Sequence, residues 1–138
     1  RNHKNKNINL LIKLANSLSK EHKIITIGKS INNKKIKNLG KINKKNLSTI
    51  LQRSKYSFIS PENIYSLFAL DCLSNGVHVF YNKGNITLKE IKKNMTPLDY
   101  SNFNFLLKNL KKKLNKSYRR QQKIKLKENN KFINYFKI

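Results

Sequence analysis

The clearest pattern of apolar and polar positions in the chain lies between Tyr56 and Phe80. An apolar run at its start stops at Pro61, as a buried strand does where the backbone loses a hydrogen-bond donor. After a polar loop, leucines recur at helical spacing until Gly76, which is typical of a helix end. These leucines are Leu67, Leu70 and Leu73. A second apolar run follows at once, so the pattern predicts a strand, a helix and a second strand in one βαβ unit of a parallel sheet.

Similar patterns precede this unit. Spacing of apolar residues predicts helices at 8–19 and 44–53, and short apolar runs predict strands at 22–28 and 36–39. Both predicted strands stop at a glycine, Gly28 for the first and Gly40 for the second. The first half of the chain is therefore also predicted to alternate between helices and strands.

After Phe80 the pattern predicts a turn at 81–85, a short helix at 88–93 and an extended segment at 95–99, where residues before Pro97 avoid helical conformations. A helix is expected at 100–117, with the Asp99 carboxylate as its N-terminal cap. Its apolar stripe consists of Phe103, Leu106, Leu107, Leu110 and Leu114. These elements predict one α/β domain at 1–117, followed by a basic helical tail at 118–138.

Composition excludes several classes of protein and leaves the charge open to two interpretations. No run of about 18 apolar residues is present, and the first residues do not resemble a signal peptide, so a cytoplasmic protein is expected. The formal net charge of +25 favours anionic partners such as nucleic acid, anionic lipid or diphosphate groups. Alternatively, codons rich in A and T account for the abundance of lysine, asparagine and isoleucine.

The sequence gives little evidence for a metal site or for a catalytic thiol. The three histidines, His3, His22 and His78, are scattered and do not form a zinc motif with the single cysteine, Cys72. Cys72 lies within a helical pattern and has no internal disulfide partner, which favours a core position over a catalytic thiol.

Spacing within and before the βαβ unit resembles a known enzyme class. Counting back from Gly76 places Asp71 and Asn63 at two positions that are eight residues apart. Both positions are acidic in the C-terminal half of GT-B glycosyltransferases, especially the retaining group-one, family-four type; here Glu62 is adjacent to the amide. That family also has an arginine and a lysine five positions apart before its first helix, which Arg1 and Lys6 match.

The resemblance covers roughly residues 1–110 and implies roles for individual residues. Arg1, Lys6 and Asn63 are expected at the catalytic centre, where the two cations would neutralise the donor diphosphate. The implied donor-binding residues are Gly28, Glu62, Ser66, Leu67 and Asp71. Asp71 would bind the ribose hydroxyls, and Ser66 and Leu67 would lie against the sugar.

The same resemblance implies a Rossmann-like nucleotide-sugar-binding domain, with a parallel sheet flanked by helices and without the first strand of the family's half-domain. The implied substrate is a nucleotide-diphosphate sugar, with no metal cofactor, and the acceptor is a glycan or a lipid-linked molecule in polysaccharide biosynthesis. Because the acceptor-binding N-terminal half is missing, this piece is expected to bind its donor without turnover. Peripheral contact with an anionic membrane is compatible with such an acceptor.

The tail at 118–138 supports a different hypothesis. It combines Arg119, Arg120 and many lysines with aromatic residues, a composition that holds single-stranded nucleic acid by charge and stacking. The aromatic residues considered are Phe132, Tyr135 and Phe136. An amphipathic helix on an anionic membrane, a crossover helix onto the N-terminal half, and a solvated helix remain open for the same segment. The alternative function is thus a small basic RNA-binding or ribosome-associated protein.

Overall fold

Helices and strands alternate along the part of the chain that the computed structural model describes, which is residues 8–58, 67–83 and 94–114. In chain order the elements are α1 (Ile8–Leu18), β1 (Ile24–Thr26), β2 (Ile36–Asn38), α2 (Lys44–Gln52), β3 (Tyr56–Phe58), α3 (Leu67–Ser74), β4 (His78–Asn82), β5 (Met95–Leu98) and α4 (Phe103–Leu114). The predicted α/β class is confirmed, and each element lies within or close to a segment where the apolar pattern predicts it.

All strand pairs in the described ranges are parallel. β1 pairs with β2, with Ile24 opposite Ile36, and a second sheet has the order β3-β4-β5. Its first pair places Tyr56 opposite His78, so β3, α3 and β4 form the predicted βαβ unit. This arrangement of small parallel sheets with helices is consistent with a Rossmann-like fold.

The core consists of two apolar layers on opposite faces of the sheets. Side chains alternate along β4, so that Val79 and Tyr81 face one layer and Phe80 faces the other. The first layer, here named the α2–α3 layer, contains Leu51, Ala69, Cys72, Leu73, Val77, Val79, Tyr81 and Met95. The second, the α1–α4 layer, contains Leu14, Leu18, Phe80, Leu98, Tyr100, Leu106 and Leu110. Helices therefore cover both faces, as parallel sheets require.

Two contacts between side chains link α1 and the turn after it to α4. The Lys13 ammonium lies 4.2 Å from the centre of the Phe103 ring. Lys111 Nζ, in the last turn of α4, donates over 2.9 Å to Oε1 of Glu21, which lies three residues after the end of α1. The two helices thus pack side by side over the same face.

The expected cap of α4 is wrong. Asn102, not Asp99, caps the helix, since its Oδ1 accepts the N–H of Phe105 over 3.2 Å. The Asp99 carboxylate instead accepts Lys83 Nζ over 2.7 Å and the N–H and hydroxyl of Ser101. These hydrogen bonds, that of Lys83 foremost, hold the pKa of Asp99 well below its usual range. The helix consequently begins at Phe103, three residues later than predicted.

Strand boundaries also differ from the prediction. β1 spans only three of the seven residues predicted at 22–28, because the backbone turns where Gly28 adopts a positive φ. β4 continues through Asn82, where a turn was expected, since Tyr81 and Asn82 pair with Pro97 and Leu98. The predicted helix at 88–93, residues 115–117 and the tail at 118–138 lie outside the described residues. Within the described ranges, no helix is both long and apolar enough to cross a bilayer.

Candidate functional site

Three of the predicted site residues follow the carboxyl ends of strands. Gly28 comes two residues after β1, and Leu67 and Asp71 lie on α3, the helix that follows β3. Ligands of open α/β sheets bind outside the carboxyl ends of the strands. This edge is therefore the candidate site.

Gly28 is required at its position by the backbone. Its φ is +91°, a conformation that residues with a Cβ rarely adopt, and its N–H donates to the carbonyl of Gly40 over 2.8 Å. A Cβ built on Gly28 would meet no heavy atom within 4 Å. The glycine thus turns the chain at the end of β1 and leaves open space beside it.

Asn38 organises the loop after β1, a role that the apolar pattern does not indicate. Its Oδ1 accepts the Thr26 hydroxyl over 2.6 Å and the Ile31 N–H over 2.8 Å. Its Nδ2 donates to the Ile31 carbonyl over 2.9 Å. The last residue of β1 and the middle of the loop are therefore both fixed to the last residue of β2. The only sequence signal is an asparagine that ends a strand, which many loops share.

Replacement of Asn38 by alanine is expected to loosen this loop. The three hydrogen bonds are exposed, so we expect a loss of about 1–2 kcal/mol in the free energy of unfolding, measured by urea denaturation, and faster amide exchange at Ile31. Asn32→Ala is the matched control, because Asn32 is exposed in the same loop. Equal exchange rates at Ile31 in both variants would contradict the role of Asn38.

Asp71 is half-buried in the second turn of α3, and Leu67 begins the helix with 76% of its surface exposed. The backbone carbonyl of Asp71 accepts the side-chain hydroxyl of Ser74 over 3.0 Å and the side-chain amide of Asn75 over 2.8 Å. Among the described residues, no donor is recorded for the Asp71 carboxylate. Its two oxygens are thus available to accept hydrogen bonds from a ligand such as a diol.

Cys72 is a core residue, as its place in the helical pattern predicted. It is completely buried in the α2–α3 layer, and burial raises the pKa of its thiol to about 11, partly offset by a hydrogen bond with Ser57. At neutral pH the thiol is protonated and therefore a poor nucleophile. The part of the chain that the structure describes also holds no group of three His, Cys, Asp or Glu side chains suited to a metal ion.

The remaining predicted site residues lie outside the described ranges. They are Arg1, Lys6, Glu62, Asn63 and Ser66. Of the predicted site residues, the structure therefore describes only three: Gly28, which follows β1, and Leu67 and Asp71, which lie on the helix that follows β3. Their relation to the predicted cations and to Asn63 stays a prediction.

A second surface is defined by charge. No acidic residue occurs between Glu21 and Glu62, and every cation in this stretch is exposed. These cations, here named the acid-free basic surface, are Lys23, Lys29, Lys34, Lys35, Lys37, Lys41, Lys44, Lys45, Arg53 and Lys55. With no carboxylate between them along the chain, they create a positive potential that attracts phosphate groups.

Comparisons with known proteins leave the family open. No protein-family model, curated protein or solved structure matches the chain. Function is therefore inferred from the spacing of residues in the sequence together with the geometry and charge of the described residues.

Proposed function

We propose that the chain is the nucleotide-sugar-binding half of a glycosyltransferase that transfers a sugar from a nucleotide-diphosphate donor to a glycan or a lipid-linked acceptor. The observation that carries this proposal is the parallel unit β3–α3–β4, which positions Asp71 on the helix that follows the carboxyl end of β3. Parallel units of this kind bind nucleotides at that edge. The GT-B assignment itself rests on the spacing of residues in the sequence.

Asp71 is assigned to the ribose of the donor. An ionised carboxylate can accept hydrogen bonds from two neighbouring hydroxyl groups. Among the described residues, none donates a hydrogen bond to the Asp71 carboxylate. Its position in the second turn of α3 keeps it close to the end of the helix where Leu67 is exposed. The ribose is therefore expected near the first turns of α3.

The departing diphosphate needs positive charge, which the chain supplies in two ways. The N-terminus of α3 carries the positive end of the helix dipole, and its first turn contains no acidic residue. Arg1 and Lys6 are proposed to stabilise the leaving group as fixed cations. Gly28 is proposed to leave space for the donor beside β1, as no atom lies within 4 Å of its Cβ position.

The sugar is assigned to the segment that precedes α3. Glu62, Asn63 and Ser66 belong to this segment, and Leu67 follows it as the first residue of α3. Asn63 stands where retaining enzymes of this type have a carboxylate, so its amide is proposed to bind a sugar hydroxyl. An amide donates as well as accepts hydrogen bonds, which changes the set of hydroxyl groups it favours.

Calorimetric titration with UDP, GDP and ADP at about physiological salt tests the proposal, because charges farther apart than about 8 Å are then screened. We expect saturable binding of one nucleotide, and an affinity about tenfold to a hundredfold lower in Asp71→Asn, the equivalent of about 1.5–3 kcal/mol. Glu21→Gln is the matched control, because it removes the same charge from an exposed position. Unchanged affinity in Asp71→Asn would refute the role of Asp71.

A nucleic-acid-binding protein is the second candidate, and the acid-free basic surface favours it. Phosphate contacts by lysines give an affinity that falls steeply as salt rises and that does not depend on the base. Equal and salt-sensitive binding of all three nucleotides would therefore support this candidate. It would also contradict a specific donor site.

A further inference from the structure

Two neighbouring parts of the sequence repeat one another. Residues 27–35 read IGKSINNKK, and residues 39–45 read LGKINKK. Each copy begins at the residue after its strand, β1 for the first and β2 for the second, with an apolar residue, a glycine and a lysine. Because β1 and β2 are parallel partners, both copies begin at the carboxyl end of the same pair of strands. The two glycine-lysine pairs, here named the paired Gly-Lys edge, are Gly28, Lys29, Gly40 and Lys41.

Backbone geometry holds the two glycines of this edge side by side. Thr26 and Asn38, the last residues of the two strands, are partners in the ladder. Two residues further on, the Gly28 N–H donates to the Gly40 carbonyl over 2.8 Å, and both glycines have a positive φ, +91° and +62°. Neighbouring strands lie about 4.8 Å apart. The lysines that directly follow the glycines therefore start from adjacent positions.

Open space and unused hydrogen-bond donors adjoin the two glycines. A Cβ built on either glycine would meet no heavy atom within 4 Å. Lys29 and Lys41 are exposed, and among the described residues neither ammonium group has an ion-pair partner and neither backbone N–H has an acceptor. The carboxylates of Glu21 and Asp99 pair with other lysines. The paired Gly-Lys edge thus presents two ammonium groups and two N–H groups to a ligand.

Repulsion between the two lysines favours an anion at this edge. Like charges at matching positions of paired strands destabilise each other. Asn38 prevents the loop after β1 from moving away, because its side chain binds both backbone groups of Ile31, two residues after Lys29. An anion that contacts both ammonium groups replaces this repulsion by attraction and also accepts hydrogen bonds from the backbone.

We propose that the paired Gly-Lys edge binds a phosphate or diphosphate group with at least two negative charges, held between Lys29 and Lys41. Lysine binds phosphate as a point charge, so two ammonium groups match a group with two charges. Absence of a side chain at the glycines lets the group approach the backbone. The proposal does not rest on the glycosyltransferase assignment, because neither Asp71 nor the residues before α3 enter it.

Titration of the 138-residue chain with pyrophosphate tests the proposal at about physiological salt, where charges farther apart than about 8 Å are screened. We expect saturable shifts of the NMR amide signals of Lys29 and Lys41. Lys29→Gln combined with Lys41→Gln is expected to weaken binding by about tenfold or more. The matched control combines Lys34→Gln with Lys35→Gln, which removes the same charge from exposed positions before the amino end of β2. Its affinity is expected to change by less than about twofold, because these charges lie at the other end of the strand.

Dimethyl phosphate and UDP identify the group that is bound. Dimethyl phosphate has a single negative charge, like each phosphate of a nucleic-acid backbone, and is expected to leave both amide signals unchanged. Tighter binding of UDP than of pyrophosphate, weakened by Asp71→Asn, would assign the group to a nucleotide. Equal binding that Asp71→Asn does not change would assign it to a smaller phosphorylated molecule. Both results support the phosphate site, and only the first also supports the role of Asp71.

Three results would overturn the proposal. The first is that pyrophosphate leaves the amide signals of Lys29 and Lys41 unchanged. If they respond once Glu62, Glu90 or Glu128 is replaced by glutamine, a carboxylate of the chain itself occupies the edge. The second is equal pyrophosphate affinity in the two double variants, because binding would then depend on net charge alone. The third is dimethyl phosphate that shifts both signals as strongly as pyrophosphate does.

Discussion

Replacement of Phe80 by alanine is expected to lower the free energy of unfolding by about 3–5 kcal/mol. Phe80 is 1% exposed at the centre of the α1–α4 layer. Its ring stacks between those of Tyr56 and Phe58, with ring centres 5.4 Å and 5.1 Å away. Truncation removes these contacts and leaves a cavity that the paired strands cannot close. Urea denaturation followed by circular dichroism measures the loss.

Phe105→Ala is the matched control for this prediction. The same side chain is removed from α4, but Phe105 is 55% exposed, so the expected change is within about 0.5 kcal/mol. Because domains are stable by only about 5–15 kcal/mol, Phe80→Ala can prevent folding altogether. In that case the Phe80→Leu variant is measured instead, and we expect its free energy of unfolding to fall by about 1–2 kcal/mol. Equal losses for substitutions at 80 and 105 would contradict the core described here.

Local apolar patterns are sufficient to predict most of the elements. The runs around Tyr56 and Val79 are continuous because both faces of a parallel strand are buried, and this predicts the βαβ unit. The stripe from Phe103 to Leu114 repeats every three or four residues, and the structure buries Leu106 and Leu110 from it. Such signals are local, so a single sequence contains them.

Features that depend on distant residues could not be predicted in this way. Asp99 and Asn102 are both good helix caps. The choice between them depends on Lys83, which binds Asp99 from 16 residues away. Similarly, Asn38 fixes the loop after β1 through Thr26, 12 residues earlier. The described strands form two sheets, β1-β2 and β3-β4-β5, and which strands pair is also decided by residues that are far apart in the sequence.

For the candidate site, too, the local sequence pattern predicted some features and not others. The resemblance implied Gly28 as a donor-binding residue, whereas the apolar run predicted only that a strand ends there, for which the positive φ gives the physical reason. Asp71 was predicted on a helix, and α3 includes it. However, spacing alone does not tell which side of an eight-residue helix is buried when nearly all its residues are apolar. The buried face of α3 is formed by Ala69, Cys72 and Leu73, so that only Leu73 of the three leucines at helical spacing belongs to it.

Leu73→Ala is expected to cost about 2–5 kcal/mol of unfolding free energy. Leu73 is completely buried in the α2–α3 layer, where it lies among residues of α2 and β4. Removal of its side chain leaves a cavity between a helix and a strand that are both fixed by neighbouring elements. Urea denaturation at constant protein concentration measures the change, and an unaltered dependence of the free energy on urea would show that the folded state keeps its compactness.

Leu67→Ala is the matched control on the same helix. Leu67 is 76% exposed, so the same substitution is expected to change the free energy of unfolding by at most about 0.5 kcal/mol. A difference of about 2 kcal/mol or more between the two variants is therefore expected. Equal losses would mean that Leu67 is also buried and that α3 is oriented differently. In that case the proposal that Asp71, four residues further along the helix, binds a ligand at the carboxyl end of β3 would lose its support.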